Sequence, residues 1–130
     1  MKSAKDKVEL AVTALSASES QPGSYALVLE DFNNLHRIPI IIGAQEAQAI
    51  AIAMENMQPM RPMTHDLFKN AVEALGAALQ EVLIYQLKET VFCAYLLLKR
   101  ADGEMLQLDA RASDAIALAI RCSAPVYSFE

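Results

Sequence analysis

The sequence predicts an α+β fold, in which a mixed and curved β-sheet packs against three helices. The predicted order is three strands, two helices, three strands, one helix and a last strand. Short runs of alternating apolar and polar residues indicate the strands, and three segments with apolar residues at helical spacing indicate the helices. The 130 residues are enough for one sizeable core, so residues 1–130 are expected to form a single domain.

Three strands are predicted in the first part of the chain, over residues 8–16, 25–31 and 37–42. We expect a turn at Asn33 and Asn34, because asparagine tolerates positive φ. Pro39 cannot donate a hydrogen bond to a neighbouring strand, so the third strand is expected at an edge or at a bulge.

Two helices follow, separated by a proline-rich break at residues 59–62. The first helix begins after Gly43 and extends to about Met57. The second begins at Thr64, a favourable N-cap residue, and extends to about Leu79. Its apolar face would be formed by Leu67, Phe68, Ala71, Val72, Leu75 and Leu79.

The second part of the chain contains three more predicted strands, over residues 81–88, 91–101 and 104–109, and a last strand over 126–129. Asp102 and Gly103 form the strongest hairpin signal in the sequence. The last helix has no charged residue over 115–120, and a helix that is apolar on all sides is normally buried on more than one of them. We therefore expect the rest of the chain to pack around this helix.

An internal repeat is predicted from two similar segments, Gln-Ala-Ile-Ala-Ile-Ala-Met at residues 48–54 and Asp-Ala-Ile-Ala-Leu-Ala-Ile at residues 114–120. The same displacement aligns residues 25–31 with 91–97, and residues 37–42 with 103–108. Each half of the chain would then consist of three strands and a helix, with the helix that begins at Thr64 inserted between the halves.

Composition and charge bear on the partners of the protein. A hydrophobic fraction of 54% is high for a small domain, so we expect part of the apolar surface to be covered in a homodimer. The net charge of −5 disfavours a generic nucleic-acid-binding surface, although local binding of nucleic acid stays open. The N-terminal residues do not read as a signal peptide, and no apolar run is long enough for a membrane helix. We therefore expect a cytoplasmic protein without membrane contact.

Two ordered motifs resemble those of the bifunctional nuclease domain family. Arg-Ala-Ser-Asp-Ala-Ile-Ala-Leu-Ala at residues 111–119 resembles the family signature Arg-Pro-Ser-Asp-Ala-Ile-Ala-Leu-Ala, and Ala112 replaces the usual proline. Arg-Pro-Met-Thr-His-Asp-Leu at residues 61–67 resembles the family motif Arg-Pro-x-Thr-His-Asp-Leu. The resemblance extends over residues 8–129. It implies a cytoplasmic, dimeric α+β protein with activity on both DNA and RNA.

The first cluster of polar residues is Thr64, His65 and Asp66. One interpretation is helix capping, with Thr64 as the N-cap, Asp66 on the positive end of the helix dipole and His65 at the surface. The other makes His65 a general base or a metal ligand with Asp66 nearby. Because adjacent residues of a helix point in different directions, the second interpretation requires a third residue from elsewhere.

The second cluster is Asp109, Arg111, Ser113 and Asp114. It fits an N-terminal cap made by Ser113 or Asp114, with Arg111 paired to a carboxylate. It also fits Mg²⁺ or Mn²⁺ held by Asp109 and Asp114, or a phosphate held by the helix N-terminus and Arg111. The last two hypotheses require ligands of opposite charge, and the sequence does not choose between them.

Glu46 and Glu55 lie on different faces of the first helix and are expected to be solvated. The leading functional prediction is a nuclease that acts on DNA and RNA with little sequence preference, assisted by Mg²⁺ or Mn²⁺. The active site would contain His65, Asp66, Asp109 and Asp114, and the phosphate would be oriented by Arg61, Arg111 and Ser113. The alternative is a non-catalytic oligomeric interaction or regulatory module.

Overall fold

The computed structural model of the chain describes residues 7–18, 22–32, 37–88 and 91–129, and the predicted turn at Asn33 and Asn34 lies outside these ranges. The strands are β1 (Lys7–Ala17), β2 (Ser24–Asp31), β3 (Arg37–Gly43), β4 (Ala77–Lys88), β5 (Val91–Arg100), β6 (Met105–Arg111) and β7 (Val126–Phe129). The helices are α1 (Ala44–Met54), α2 (Thr64–Ala74) and α3 (Ala112–Cys122). The predicted α+β class, with three helices and a mixed sheet, is confirmed.

All seven strands form one sheet in the order β3-β2-β1-β7-β4-β5-β6. Its central strand, β7, is antiparallel to β1 and parallel to β4, which makes the sheet mixed. On either side of β7 lies an antiparallel three-stranded unit, and each unit is followed in the chain by a helix. Pro39 lies in β3, an edge strand, as its missing N–H predicts.

The core lies between one face of the sheet and the helices, and α3 is at its centre. Every residue of α3 from Ala115 to Ala119 is buried, together with Ala112 and Ser113. The helix packs against α1, α2 and the strands β4, β5 and β6. Small alanine side chains permit this close approach on several sides, so the expectation drawn from the uncharged segment is confirmed.

Two helices end earlier than predicted, and backbone conformation explains both differences. Helix α1 ends at Met54 rather than Met57, because Asn56 adopts a left-handed conformation with φ of 54°. Helix α2 ends at Ala74, where Gly76, with φ of 85°, reverses the chain. Leu79, predicted to be helical, therefore lies in β4.

Helix α2 turns a face with both polar and apolar residues towards α3, and leaves two large apolar residues exposed. His65, Asp66, Lys69 and Val72 are half-buried, whereas Leu67 is 62% exposed and Leu75 is 87% exposed. Hydrogen bonds from α2 side chains to α3 fix this rotation. The predicted apolar face of α2 is thus divided: Phe68, Val72 and Leu79 lie beside α3 and the sheet, whereas Leu67 and Leu75 are outside the core of the single chain.

Each of the three helices has 11 residues. Within the described ranges, none is long and apolar enough to span a lipid bilayer.

Candidate functional site

An open cleft of about 680 Å³ lies where the first turns of α1, α2 and α3 meet above strands β5 and β6. Its polar lining includes Gln45, Glu46, Gln48, His65, Arg111 and Asp114, and its apolar lining includes Phe68, Leu96, Leu108 and Leu118. The cleft therefore combines titratable groups with an apolar wall, the usual composition of a site for a small molecule or part of a larger one.

His65 and Asp114 form the central pair of the cleft. The ring atom Nε2 of His65 lies 3.0 Å from Oδ1 of Asp114. Burial raises the pKa of the Asp114 carboxyl, but the hydrogen bonds from Arg111 and His65 outweigh burial and hold this pKa below its usual value. The carboxylate is therefore ionised at neutral pH and accepts hydrogen bonds only, so Nε2 carries the proton of this bond. The third residue that His65 requires is thus Asp114, supplied by another helix.

Arg111 holds the other side of the Asp114 carboxylate. Its Nε donates to Oδ2 at 2.8 Å, and its Nη2 donates to Oδ1 at 3.2 Å, which is a two-pronged contact. The Asp114 carboxylate raises the pKa of Arg111 further above its ordinary value. The predicted pairing of Arg111 with a carboxylate is confirmed. The predicted cap by Ser113 or Asp114 is not: Arg111 is the N-cap residue of α3, its side chain makes no capping hydrogen bond, and the oxygens of Asp114 bind Arg111 and His65.

Glu46 belongs to the cleft, contrary to the prediction of a solvated surface position. Its Oε2 accepts a hydrogen bond from Nη1 of Arg111 at 3.4 Å, and its side chain is 23% exposed. Its carboxylate lies over Gly43, where an added Cβ would come within 2.5 Å of Oε1. Glu55, the other glutamate predicted to lie on the first helix, is exposed just after the end of α1 and does not line the cleft.

One sequence signal could have identified Glu46. The N-cap residues of the three helices are Gly43, Met63 and Arg111. The third helical residue is acidic each time: Glu46, Asp66 and Asp114. A carboxylate at this position interacts favourably with the helix dipole and the first N–H groups. The convergence of these helix starts then places two of the three carboxylates beside Arg111.

Asp66 is bound away from the cleft rather than within it. Its Oδ2 accepts the backbone N–H of Met63 at 3.0 Å, and its Oδ1 accepts Nε–H of Arg121 at 2.7 Å. These two bonds, that of Met63 first, lower the pKa of the Asp66 carboxyl. The predicted capping role of Thr64 is wrong by one residue, because Met63 has the extended backbone of the N-cap and Thr64 is already helical.

Asp109 is one of the residues that line the cleft, but its carboxylate is not bound to the residues around Asp114. Residues alternate between the faces of β6, and Leu108, which pairs with Leu96, faces the cleft. The Asp109 carboxylate therefore lies on the opposite face, where Oδ1 accepts the hydroxyl of Tyr85 at 2.6 Å. This bond raises the pKa of Tyr85 well above its ordinary value.

The metal site predicted from Asp109 and Asp114 is not assembled. Both oxygens of Asp114 already accept hydrogen bonds, and Asp109 is held by Tyr85. Over the described ranges, no three His, Cys, Asp or Glu side chains are grouped as metal ligands. The assistance by Mg²⁺ or Mn²⁺ that the sequence predicts stays a prediction.

Two of the three predicted phosphate-binding residues lie outside the cleft. Arg61 is exposed in the segment before α2, and it is not among the residues that line the cleft. Ser113 is 7% exposed in the first turn of α3 and lines the adjacent pocket instead. Of the predicted set, only Arg111 lies where it could meet a ligand of the cleft.

The fold and the cleft define a class of protein: an α+β domain in which a central buried helix supports a histidine, aspartate and arginine cluster at its N-terminus. Residues 27–130 match the model of the bifunctional nuclease domain, and the chain belongs to that family. The predicted family is thereby confirmed.

The chain is similar to several proteins of this family. It is 39% identical over 109 residues to an uncharacterized protein of Mycobacterium tuberculosis, a match that covers 84% of this chain and 62% of the relative. It is 30% identical over 102 residues to Bifunctional nuclease 1 of Arabidopsis thaliana, covering 77% of this chain and 31% of the relative. A match to Bifunctional nuclease 2 of Oryza sativa has 29% identity over 91 residues, covering 68% of this chain and 28% of the relative. The chain therefore spans less than two thirds of the length of these relatives.

Proposed function

We propose that this chain is a nuclease that hydrolyses phosphodiester bonds of DNA and RNA with little sequence preference. The observation that supports the proposal is the His65–Asp114 hydrogen bond beside Arg111 in an open cleft. The plant relatives carry the name bifunctional nuclease, and that name supports the reaction class for this chain.

In the proposed reaction, His65 is the proton-transfer group. Because Nε2 donates its proton to Asp114, Nδ1 of the neutral ring is the atom able to accept a proton from an attacking water molecule. Asp114 fixes the tautomer and stabilises the imidazolium that forms, as an orienting carboxylate does in other hydrolytic sites. The oxygen of the water attacks phosphorus, the bond from phosphorus to the leaving oxygen breaks, and the leaving oxygen takes a proton from solvent water.

Arg111 is the proposed phosphate-binding residue. Within the described part of the chain, three of its five N–H groups bind Asp114 and Glu46, and its side chain is 64% exposed. The remaining N–H groups are available to phosphoryl oxygens. Contacts to phosphate carry no base information, so a site that depends on them acts with little sequence preference.

The proposed reaction uses no metal ion, and the predicted assistance by Mg²⁺ or Mn²⁺ is a separate prediction that the comparison of Mg²⁺, Mn²⁺ and EDTA tests. Arg111 lies between the carboxylates of Glu46 and Asp114 and is paired with both. We expect binding of nucleic acid to be weak and sensitive to salt, since the chain has a net charge of −5.

The experiment that tests the proposal compares the purified protein with His65→Ala and Asp114→Ala on single-stranded RNA and single-stranded DNA. Each substrate is incubated with Mg²⁺, Mn²⁺ or EDTA. We expect cleavage of both substrates by the wild type, also in EDTA, and a loss of at least about a hundredfold in His65→Ala. Glu55→Gln is the matched surface control. Cleavage at equal rates by all four proteins would indicate a contaminant and would contradict the proposal.

A second candidate function is an oligomeric interaction module, and the apolar side of α2 favours it. Met60, in the segment before α2, is 98% exposed; Leu67 is exposed on α2, and Leu75 is exposed at its C-terminal end. We propose that a second copy of this chain covers this surface in a homodimer, because several large, exposed apolar side chains are typical of a subunit interface. A cytoplasmic location is likewise a proposal, made from sequence alone.

A further inference from the structure

Helix α3 holds the first turn of α2 at two points. Asp114 of α3 binds His65 at 3.0 Å, and Arg121 of α3 binds Asp66 at 2.7 Å. Asp114 and Arg121 are two helical turns apart, so both lie on the side of α3 that faces α2. Two adjacent residues of α2 are thus fixed by two charged residues of one rigid, buried helix.

The contact of Arg121 reaches the backbone next to His65. Oδ1 of Asp66 accepts Nε–H of Arg121, and Oδ2 accepts the backbone N–H of Met63. Both oxygens of the Asp66 carboxylate are therefore occupied. The bond from Asp66 to Met63 joins two residues that lie on either side of His65 in the chain. A shift of Arg121 would move this turn and with it the imidazole ring.

The guanidinium of Arg121 is buried between α2 and α3, and its polar groups are not all satisfied. Its side chain is 7% exposed, and Nη1 donates to the carbonyl of Ala117. Within the described part of the chain, Nη2 is buried and has no hydrogen-bond partner. A buried guanidinium with an unsatisfied N–H is weak evidence for a stabilising role, because an apolar side chain of similar size fills such a space without leaving a polar group unpaired.

We propose that Arg121 is a positioning residue, which acts through Asp66 to align the His65 ring with Asp114 and with the scissile phosphate. This inference rests on the proposed function of His65. Arg121 contacts no reacting atom in this scheme. Its effect is on the geometry of proton transfer, so its loss lowers kcat and changes KM little.

The chain offers a matched control on the same two helices. Nζ of Lys69, on α2, donates to the backbone carbonyl of Arg121 at 3.2 Å. Lys69→Met removes this contact between α2 and α3 and retains the groups that form the Arg121–Asp66 and His65–Asp114 hydrogen bonds. Arg121→Met and Lys69→Met therefore both loosen the helix pair, but only the first removes the contact that aligns His65.

The test combines steady-state kinetics with ¹H–¹⁵N NMR of the histidine rings. The chain has two histidines, His36 and His65, so the His65→Gln variant assigns the signals. In the wild type we expect the ring of His65 to carry its proton on Nε2. In Arg121→Met we expect a mixture of tautomers and a kcat lower by about tenfold to a hundredfold, while Lys69→Met retains the wild-type tautomer and kcat. Arg121→Lys keeps the charge but loses the planar fork, so its kcat should lie between those of the wild type and Arg121→Met.

Wild-type His65 signals in Arg121→Met would overturn the inference, and so would equal changes in Arg121→Met and Lys69→Met. The NMR readout needs no substrate, so the positioning of His65 is tested even if the nuclease proposal fails. If Arg121→Met does not fold, Asp66→Asn serves instead, because it keeps an oxygen for Met63 and removes the charge that pairs with Arg121. An unchanged His65 tautomer in that variant would equally overturn the inference.

Discussion

His65 and Asp114 are 49 positions apart in the chain, and yet Nε2 of the one lies 3.0 Å from Oδ1 of the other. The contact joins the first turn of α2 to the first turn of α3. Arg111 completes the arrangement by binding the same carboxylate from the other side. The carboxylate of Asp114 thus holds the imidazole of His65 on one side and the guanidinium of Arg111 on the other.

The Asp114→Asn substitution should change how the free energy of unfolding depends on pH. The folded-state pKa of Asp114 lies below its usual value of 3.8, so its ionised form stabilises the fold above about pH 4. This contribution is lost as the pH falls through the folded-state pKa. The difference in unfolding free energy between the wild type and Asp114→Asn should therefore be largest near pH 7 and should narrow towards pH 3.

Urea denaturation followed by circular dichroism at several pH values measures this difference. Asp66, whose pKa is also lowered, is present in both proteins and cancels in the comparison. A difference that stays constant from pH 7 to pH 3 would show that Asp114 is not held in its ionised form.

Substitution of Arg111 should weaken substrate binding. Arg111→Lys keeps a positive charge but cannot make the two-pronged contact with a carboxylate or a phosphate. We expect KM for single-stranded RNA to rise about tenfold, the loss expected for one charge-assisted hydrogen bond, with a smaller change in kcat. A KM in Arg111→Lys equal to that of the wild type would remove Arg111 from the proposed phosphate site.

Glu46 in α1 and Glu55 directly after α1 provide a matched pair of substitutions. Glu46→Gln removes a negative charge that competes with phosphate for Arg111, so KM should fall a few-fold at low salt. Glu55→Gln makes the same change in charge away from the cleft and should leave KM unchanged. Equal effects of the two variants would attribute the change to net charge rather than to the cleft.

The exposed apolar side of α2 predicts a homodimer that depends on Leu67 and Leu75. Light scattering coupled to gel filtration should give the mass of two chains for the wild type and of one chain for Leu67→Glu combined with Leu75→Glu. Met105→Glu, an exposed apolar position on β6, is the control and should stay dimeric. A wild type with the mass of one chain would contradict the dimer.

Most of the fold was predictable because its signals are local. The uncharged segment of α3 predicted a central buried helix, and the hairpin at Asp102 and Gly103 lies between β5 and β6 as expected. The helix ends were less predictable. Apolar periodicity predicted longer helices, but α1 ends before the left-handed Asn56 and α2 ends before the chain reversal at Gly76.

The candidate site was predictable in part, for a physical reason. The motifs identified His65, Arg111 and Asp114, which the structure brings together. They did not reveal that Asp109 faces the other side of the sheet, because a shift of one residue in strand position exchanges the two faces. The rotation of α2 was equally hidden, since polar contacts between helices determine it.

The most direct test of the central claim is a double-mutant cycle on His65→Gln and Asp114→Asn, with kcat measured on single-stranded RNA. If the imidazole and the carboxylate act as one unit, each single variant should lose most of the activity, and the double variant should be hardly worse than His65→Gln alone. Losses that multiply in the double variant, or a single variant with wild-type kcat, would contradict a shared catalytic role for the two residues.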